Sequence, residues 1–334
     1  MKRIANLFLF FVLCIGVNRQ TFAQTDPHFT QNYMFPMAVN PALTGSMDGS
    51  YRVASIYRNQ WRNITNPYQT ISFSAEIATS KDINIGASFF KETAGYSGYQ
   101  YSLSNLSLAY TGVRFGKTGD QQISFGAQSG FVSAKYNLNN FEFGQQWLSG
   151  TGYVPGTSSG ENFENLSVFV PDISFGISYF DRTPNKAVSA YGGVAVYHLT
   201  QPRFSFLGGN NKLPARISAQ AGLKVVLNDG VFLMPNVVYN RQQNASEIIT
   251  AAYAQFYVND DTDIMIGGNI RIKDAVSPFI GLYFKGLVAG LSYDINTSAL
   301  ANYAPNSNAF ELSVSFSGGR ARQANSTYFN CPRF

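Results

Sequence analysis

Residues 310–316 read Phe-Glu-Leu-Ser-Val-Ser-Phe, in which apolar and polar side chains alternate strictly. A period of two places the apolar side chains on one face of a β-strand and the polar ones on the other. The same pattern recurs over 71–77, 217–227 and 264–272. Since no segment has a convincing helical period, the sequence predicts an all-β protein.

Fourteen predicted strands can be delimited in this way. Most have roughly 9–13 residues, which is longer than the 5–6 typical of soluble sheets and long enough to cross a bilayer at a tilt. The predicted strands span 50–58, 68–78, 82–91, 100–114, 121–135, 168–180, 187–198, 213–227, 230–240, 246–258, 262–273, 276–285, 287–295 and 308–316.

The connections between strands distinguish a membrane barrel from a soluble β-sandwich, which would alternate in the same way. The odd-numbered connections are mostly long, with the longest at 136–167, whereas the even-numbered ones are short and rich in Asp, Asn, Gly and Lys. Long loops at one end and tight turns at the other are typical of outer-membrane barrels. We therefore predict a transmembrane antiparallel outer-membrane β-barrel of about 14 strands over 50–316, with both termini in the periplasm.

The composition agrees with a membrane location and argues against several functions. Of the 334 residues only 13% are charged, and 15% are aromatic. The net charge of +5 comes largely from the two ends of the chain, so no basic stripe indicates nucleic-acid binding.

Signals for an enzyme are weak. The two histidines, His28 and His198, are isolated, so they predict no metal site and are expected to be ordinary surface or rim residues. Residues 156–160 match the pattern G-x-S-x-G around Ser158. They lie in a Gly/Ser loop without the strand and helix that a nucleophile elbow needs. We predict no catalysis, no metal and no cofactor.

The first 23 residues have the features of a secretory signal peptide. Lys2 and Arg3 precede an apolar stretch over 4–17, and cleavage after Ala23 is expected. The alternative is an N-terminal membrane anchor. Once this segment is removed, Cys331 is the one remaining cysteine, so no internal disulfide is predicted.

Two further segments do not belong to the predicted barrel. Residues 24–49 contain three prolines and alternate poorly, so we expect them to enter the lumen or lie across the periplasmic mouth. Residues 317–334 form a basic tail that we expect in the periplasm, where its candidate contact residues are Arg320, Arg322, Cys331 and Arg333.

Local features of the strands carry their own predictions. Three prolines inside strands predict bulges or misplaced boundaries, at Pro171, Pro235 and Pro278. A change of apolar parity predicts another bulge at Asn105.

Charged residues on the polar parity are expected to pair in the lumen: Glu76, Arg216, Lys224, Arg271, Lys273, Asp294 and Glu311. Aromatic residues near strand ends predict membrane girdles: Tyr57, Trp61, Tyr68, Tyr96, Tyr99, Tyr179, Tyr197 and Tyr239.

Two segments resemble the PorP/SprF family of the Bacteroidetes type IX secretion and gliding system. One runs from Asp26 to Ser46 and includes Gln31 and the run Asn40-Pro41-Ala42-Leu43-Thr44-Gly45. The other, Tyr57-Arg58-Asn59-Gln60-Trp61, resembles the family's Y-R-x-Q-W motif. A looser likeness continues over the rest of the chain after the predicted signal peptide.

The resemblance implies a non-catalytic outer-membrane component of the secretion and gliding machinery. Such a protein is expected to anchor or help export a large cell-surface adhesin through that adhesin's C-terminal type B signal domain. Further partners implied are type IX secretion components and peptidoglycan-linked periplasmic components. The alternative is a porin-like or fatty-acid-carrier-like transporter.

Candidate site residues follow from these motifs and from loop position. An aromatic residue flanked by arginines has the composition of an interaction hot spot. The candidates for partner binding are Tyr57, Arg58, Gln60, Trp61, Arg62 and, in the longest loop, Tyr153. The candidates from the N-terminal family motif are Gln31, Asn40, Pro41, Ala42 and Gly45.

Overall fold

The computed structural model describes residues 26–319, except 48, 65, 80, 97, 138–140, 155, 159, 161–165, 207, 229, 260 and 306. The predicted signal peptide (1–23) and residues 320–334 of the predicted tail lie outside the described residues. Within the described residues, no helix is long and apolar enough to cross a membrane.

A closed antiparallel barrel of 14 strands forms the body of the described chain, as predicted. Each strand pairs with the next along the chain, and the first pairs with the last. The strands are β1 (Tyr51–Gln60), β2 (Tyr68–Ala78), β3 (Ile83–Ala94), β4 (Tyr99–Phe115), β5 (Gln121–Lys135), β6 (Ser167–Asp181), β7 (Val188–Tyr197), β8 (Arg216–Asn228), β9 (Val231–Gln242), β10 (Ala245–Asn259), β11 (Thr262–Arg271), β12 (Ala275–Phe284), β13 (Leu287–Asn296) and β14 (Ala309–Gly318).

The connections differ in length at the two ends of the barrel. At one end, the long-loop end, the largest connection is 136–166. It contains a short hairpin whose two strands, Trp147–Leu148 and Gly152–Tyr153, have two residues each. At the other, the short-turn end, β12 and β13 are joined by two residues that both have positive φ, Lys285 and Gly286. Such turns follow the right-handed twist of paired strands.

The strand alternation separates an apolar outer wall from a largely polar lumen. On β1, Val53 is 53% exposed whereas its neighbour Arg52 is 2% exposed. The predicted lumen residues Glu76, Arg216, Arg271, Asp294 and Glu311 are all buried inside the barrel. An unpaired charge on the lipid face would cost about 2–4 kcal/mol at the midplane.

Of the two predicted lumen lysines, Lys273 differs from this pattern, whereas Lys224 keeps the lumen parity of its strand, opposite the buried Ser189. Lys273 lies in the exposed turn between β11 and β12, with a positive φ of 66°, because β11 ends at Arg271. Lys224 is half-buried and its ammonium lies 4.7 Å from the ring centre of Phe232.

The prolines inside strands produce no bulge, and the predicted boundaries there are not misplaced. Pro235 lies opposite Ala252, and Pro278 lies opposite Gly268. Pairing with the other neighbouring strand is interrupted at Pro235 and Pro278 but resumes in the same register. Pro171 precedes the segment of β6 that pairs with β7, which begins at Phe175. A proline lacks only one donor, so the ladder on its other side stays intact.

The bulge predicted at Asn105 is also absent, because pairing on both sides of this residue keeps its register. The irregularity of β4 lies between Tyr110 and Val113 instead. The parity of apolar residues changes because Tyr101 and Leu103 face the lumen, where they join an apolar cluster.

Residues 26–47, here called the plug, lie inside the barrel. They form three short 3₁₀ turns, at Asn32–Met34, Pro36–Ala38 and Pro41–Leu43. Their apolar side chains pack on inward-facing side chains of the wall; for example, the rings of Phe29 and Phe90 lie 5.5 Å apart. The lumen is therefore filled partly by an apolar core.

The plug crosses the lumen from one end of the barrel to the other. Asp26 lies beside His198 and Gln242, which follow or end strands at the long-loop end. Gly45 lies beside Glu76, close to the turn between β2 and β3 at the short-turn end. The described chain therefore begins and ends at opposite ends of the barrel. This differs from the arrangement expected for an even number of strands, because the plug adds one crossing.

Candidate functional site

The plug is held at Thr30 and Gln31 by a carboxylate of the last strand. The oxygens of Glu311 accept the backbone N–H groups of Thr30 at 2.6 Å and of Gln31 at 2.9 Å. The guanidinium of Arg58, on the first strand, forms an ion pair with the same carboxylate. Glu311 is fully buried, so these donors replace the water that its charge has lost.

A second carboxylate completes this buried cluster. Asp294 lies 2.8 Å from Arg58 and 2.8 Å from Arg271, and accepts the hydroxyl of Thr30 at 2.9 Å. Two arginines and two carboxylates thus surround one plug residue, and Arg271 also pairs with Asp274. Removing one member leaves an uncompensated buried charge, which is strongly destabilising.

Gln31 connects the plug to the last two strands through its side chain. Its Nε2 donates to Ser292 Oγ at 3.1 Å and to the Glu311 carbonyl at 3.2 Å. Its Oε1 accepts the hydroxyl of Ser313. This candidate motif residue is fully buried, so its contacts in the structure are to the barrel wall.

The motif Asn40-Pro41-Ala42 rests on glycines of the opposite wall. Asn40 caps the third turn by accepting from Ala42 N at 2.9 Å, and its Nδ2 donates to the Ile177 carbonyl at 3.0 Å. A Cβ on Gly126 would lie 2.2 Å from the Ala42 nitrogen. The absent side chain is therefore what allows the backbone of the plug to approach the wall.

Gly45, near the end of the plug, has a left-handed backbone conformation. Its φ is +73°, which glycine adopts without strain. Its N–H donates to Glu76 Oε2 at 2.8 Å, and Glu76 also forms a buried ion pair with Arg52 at 2.6 Å. The five candidate residues of the N-terminal motif therefore all contact the inner wall of the barrel or shape the plug against it.

At the long-loop end the plug is held by His198, which is not the rim residue predicted. His198 is 1% exposed, and its ring nitrogens lie 3.0 Å from Asp172 and 2.8 Å from Asp26. Asp26 also lies 2.8 Å from Arg216. Burial alone would lower the pKa of His198, but the two carboxylates outweigh it and raise the pKa to about 9. Although burial opposes it, His198 and Arg216 hold the pKa of Asp26 well below its usual range.

This histidine site was missed because nothing local in the sequence links its members. The described residues contain no group of His, Cys, Asp or Glu arranged to hold a metal ion. Both nitrogens of His198 are engaged by carboxylates, so the ring is committed to holding the plug. The only available signal was the polar parity of Asp172 within an apolar strand.

The Tyr57-Arg58-Asn59-Gln60-Trp61 motif is divided between the two faces of the wall. Arg58 is buried in the lumen and Gln60 accepts from its guanidinium, at 3.3 Å. Tyr57 packs against Phe310 on the outer wall. The pair of arginines that was expected to flank Trp61 on an exposed surface is therefore not formed, because β1 turns Arg58 inward.

Trp61 and Arg62 lie in the loop after β1. Trp61 is half-buried and packs edge-on against Tyr68 at 5.1 Å, whereas Arg62 is exposed. Among the predicted girdle residues, Tyr197 instead faces the lumen, where it is 2% exposed and donates to the Met37 carbonyl.

Tyr153 belongs to the hairpin of the longest loop. It is half-buried and packs against Trp147, whose side chain is 56% exposed. The start of the same loop contacts the loop after β7, since the rings of Tyr136 and Phe206 lie 4.7 Å apart. The candidate tail residues Arg320, Arg322, Cys331 and Arg333 lie outside the described part of the chain.

Comparison with solved structures finds other outer-membrane barrels at low sequence identity. The toluene transporter TbuX of Ralstonia pickettii matches with a TM-score of 0.49 and 10% identity, covering 85% of this chain and 92% of that one. The P. putida toluene transporter TodX matches with 0.48 and 11%, covering 87% and 95%. A Pseudomonas aeruginosa FadL homologue matches with 0.46 and 11%, covering 87% and 95%.

Comparison with curated proteins finds no match. A family model described as the type IX secretion system membrane protein PorP/SprF matches residues 21–316. This range includes the whole plug and all but the end of the last strand. The chain therefore belongs to the PorP/SprF family of type IX secretion system membrane proteins.

Proposed function

We propose that this barrel is a non-catalytic anchor that retains, or helps export, a large secreted adhesin at the cell surface. The filled lumen is the observation that carries this proposal. Residues 26–47 are fixed to the wall by buried ion pairs, by backbone hydrogen bonds and by close contacts with glycines. A barrel that is filled in this way suits a protein that must resist pulling without leaking.

The loops at the long-loop end are the proposed contact surface for the adhesin's C-terminal type B signal domain. Trp147 and Leu148 are 56% and 45% exposed there, on the hairpin of the longest loop. Exposed aromatic side chains on a loop are typical anchors of protein interfaces. Trp61, Arg62 and Tyr153 complete the proposed surface.

The orientation that goes with this function places the long loops outside the cell and the short turns in the periplasm. In that orientation the basic residues of the tail would meet type IX secretion components and peptidoglycan-linked partners. Support comes from the asymmetry of the connections, which is that of outer-membrane barrels.

Single-channel conductance in planar bilayers tests the filled lumen that carries this proposal. An anchor predicts no steady open conductance for the purified barrel. A steady open conductance, or selective passage of small solutes into liposomes, would contradict the proposal and favour the porin-like alternative.

A further inference from the structure

A hollow remains between the plug and the barrel wall, near the long-loop end. It has a volume of about 60 Å³ and is bordered by the plug and by β3–β5 and β7–β10. One water needs about 10–15 Å³ on this measure, so the hollow has room for about four to six water-sized groups. The hollow is separate from the loop surface proposed above to contact the adhesin.

Apart from atoms that take part in ion pairs, three buried side-chain atoms on residues that border the hollow lack a hydrogen-bond partner within the described structure. They are the acceptors Gln128 Oε1 and Asn240 Oδ1, on residues that are 3% and 7% exposed, and the donor Asn32 Nδ2. Buried polar atoms are nearly always paired, so these three atoms at one hollow indicate an occupant that both donates and accepts, as a hydroxyl group does.

The orientation of both amides is fixed by their nitrogens. Gln128 Nε2 donates to the Met37 carbonyl at 3.1 Å, and Asn240 Nδ2 donates to Glu247 Oε2 at 3.2 Å. Reversing either amide would place oxygen against oxygen. In these two amides it is therefore the acceptor atom that is left without a partner.

The remaining lining is apolar or electrically balanced, except for the uncharged polar residues Asn32, Ser88 and Asn105. Phe35, Phe90, Leu103, Val238 and Ile249 supply most of the hydrocarbon surface. The charges of Asp26 and Arg216, which also border the hollow, neutralise each other at 2.8 Å. These surroundings favour a neutral occupant over an ion.

We propose that this hollow is a binding site for a small neutral hydroxyl compound with a short hydrocarbon skeleton. Its hydroxyl groups donate to the Gln128 and Asn240 oxygens, and its carbon atoms cover the apolar lining. Water would satisfy the two oxygens but would leave the hydrocarbon surface hydrated, which is the less favourable arrangement. Neither the family nor the proposed anchoring role assigns a ligand to this position.

Saturation-transfer NMR on the full barrel in detergent tests the proposal with two isomeric probes. The probes are 1,4-butanediol, which has two hydroxyl donors, and 1,2-dimethoxyethane, which has the same atomic composition and none. We expect transfer to the diol and at least fivefold less to the ether. Filling the hollow by Val238→Phe should abolish transfer to the diol, which separates binding in the lumen from partition into the micelle.

The acceptor atoms are tested by Gln128→Leu and Asn240→Leu, which should each weaken diol binding about tenfold, as the loss of one buried hydrogen bond implies. Gln145→Leu, at an exposed loop position, is the matched control and should leave binding unchanged. Equal transfer to diol and ether would overturn the proposal, as would diol binding that is indifferent to both leucines. No diol signal in the folded wild-type barrel would also overturn it and leave the hollow to water.

Discussion

Arg58 and Glu311 are direct partners across the seam where the first and last strands close the barrel. Their ion pair is buried, and the carboxylate also accepts the backbone N–H groups of Thr30 and Gln31. One residue pair therefore joins barrel closure to the seating of the plug. The fit of the N-terminal segment and the register of the seam are consequently interdependent.

Replacing Glu311 by Gln should destabilise the barrel substantially. The change removes the charge that balances Arg58 and places an amide near two N–H donors of the plug. Loss of one partner of a buried ion pair costs about 3–5 kcal/mol. The free energy of unfolding in phospholipid vesicles, followed by tryptophan fluorescence in urea, should fall by about that amount.

Glu142→Gln is the matched control, because Glu142 is exposed in the longest loop. It should change the free energy of unfolding by less than about 0.5 kcal/mol, as surface substitutions usually do. Similar values for the two variants would show that Glu311 does not hold the plug.

Adding a methyl group at Gly126 should displace the plug without breaking the strand. The new Cβ would lie 2.2 Å from the Ala42 nitrogen, and neither backbone can yield easily. We expect Gly126→Ala to produce open-channel events in planar bilayers where the wild type shows none. In Gly192→Ala, at a position where the nearest atom is 3.2 Å away, the conductance should stay at the wild-type level. Equal traces for the two variants would count against a tightly seated plug.

The histidine at the long-loop end predicts a pH dependence of stability. Its pKa is 6.5 in the unfolded chain and about 9 in the barrel, so the folded state binds this proton more tightly. The stabilisation is fully present below pH 6.5 and is lost as the pH rises through about 9. From the shift it amounts to about 3 kcal/mol. Asp26, whose pKa is lowered, acts in the opposite direction and only in acid.

Unfolding free energies measured from pH 6 to pH 10 check this dependence. Wild type should lose stability over that range, whereas His198→Gln should be less stable at pH 6 and much flatter above it. If the unfolding free energy of His198→Gln changes with pH as steeply as that of the wild type, His198 is excluded as the titrating group.

The strands were predictable because lipid imposes one rule on the whole outer wall. Each of the 14 predicted strands is present, since apolar side chains at every second position satisfy the membrane on one face. The same rule gives a wrong prediction at Tyr101 and Leu103, whose apolar side chains face inward to pack on the plug. Because the lumen contains an apolar core, an apolar side chain on a strand does not always face the lipid.

The contacts that seat the plug could not be predicted from the sequence. Arg58 was assigned to an exposed surface with Trp61, whereas the direction of β1 turns it toward Asp294 and Glu311. His198 was taken for a rim residue, because its partners Asp26 and Asp172 are distant in the sequence. Such contacts depend on the register of the barrel and on the path of the plug, which alternation alone does not determine.

The hairpin of the longest loop should carry much of the affinity for a secreted partner. Truncating exposed aromatic anchors at an interface commonly costs about 2 kcal/mol or more. The double change Trp147→Ala and Tyr153→Ala should therefore reduce the recovered partner at least tenfold in pull-down from outer membranes. Lys285→Ala, in an exposed turn at the opposite, short-turn end of the barrel, is the control. Equal recovery of the partner from both variants would show that the hairpin is not the contact surface.

Purification of the native barrel from outer membranes in mild detergent, followed by mass spectrometry, tests the anchoring role most directly. The account predicts that a large secreted protein co-purifies and that limited proteolysis leaves its C-terminal domain on the barrel. A barrel that is repeatedly recovered alone, even at low ionic strength, would contradict the anchoring role.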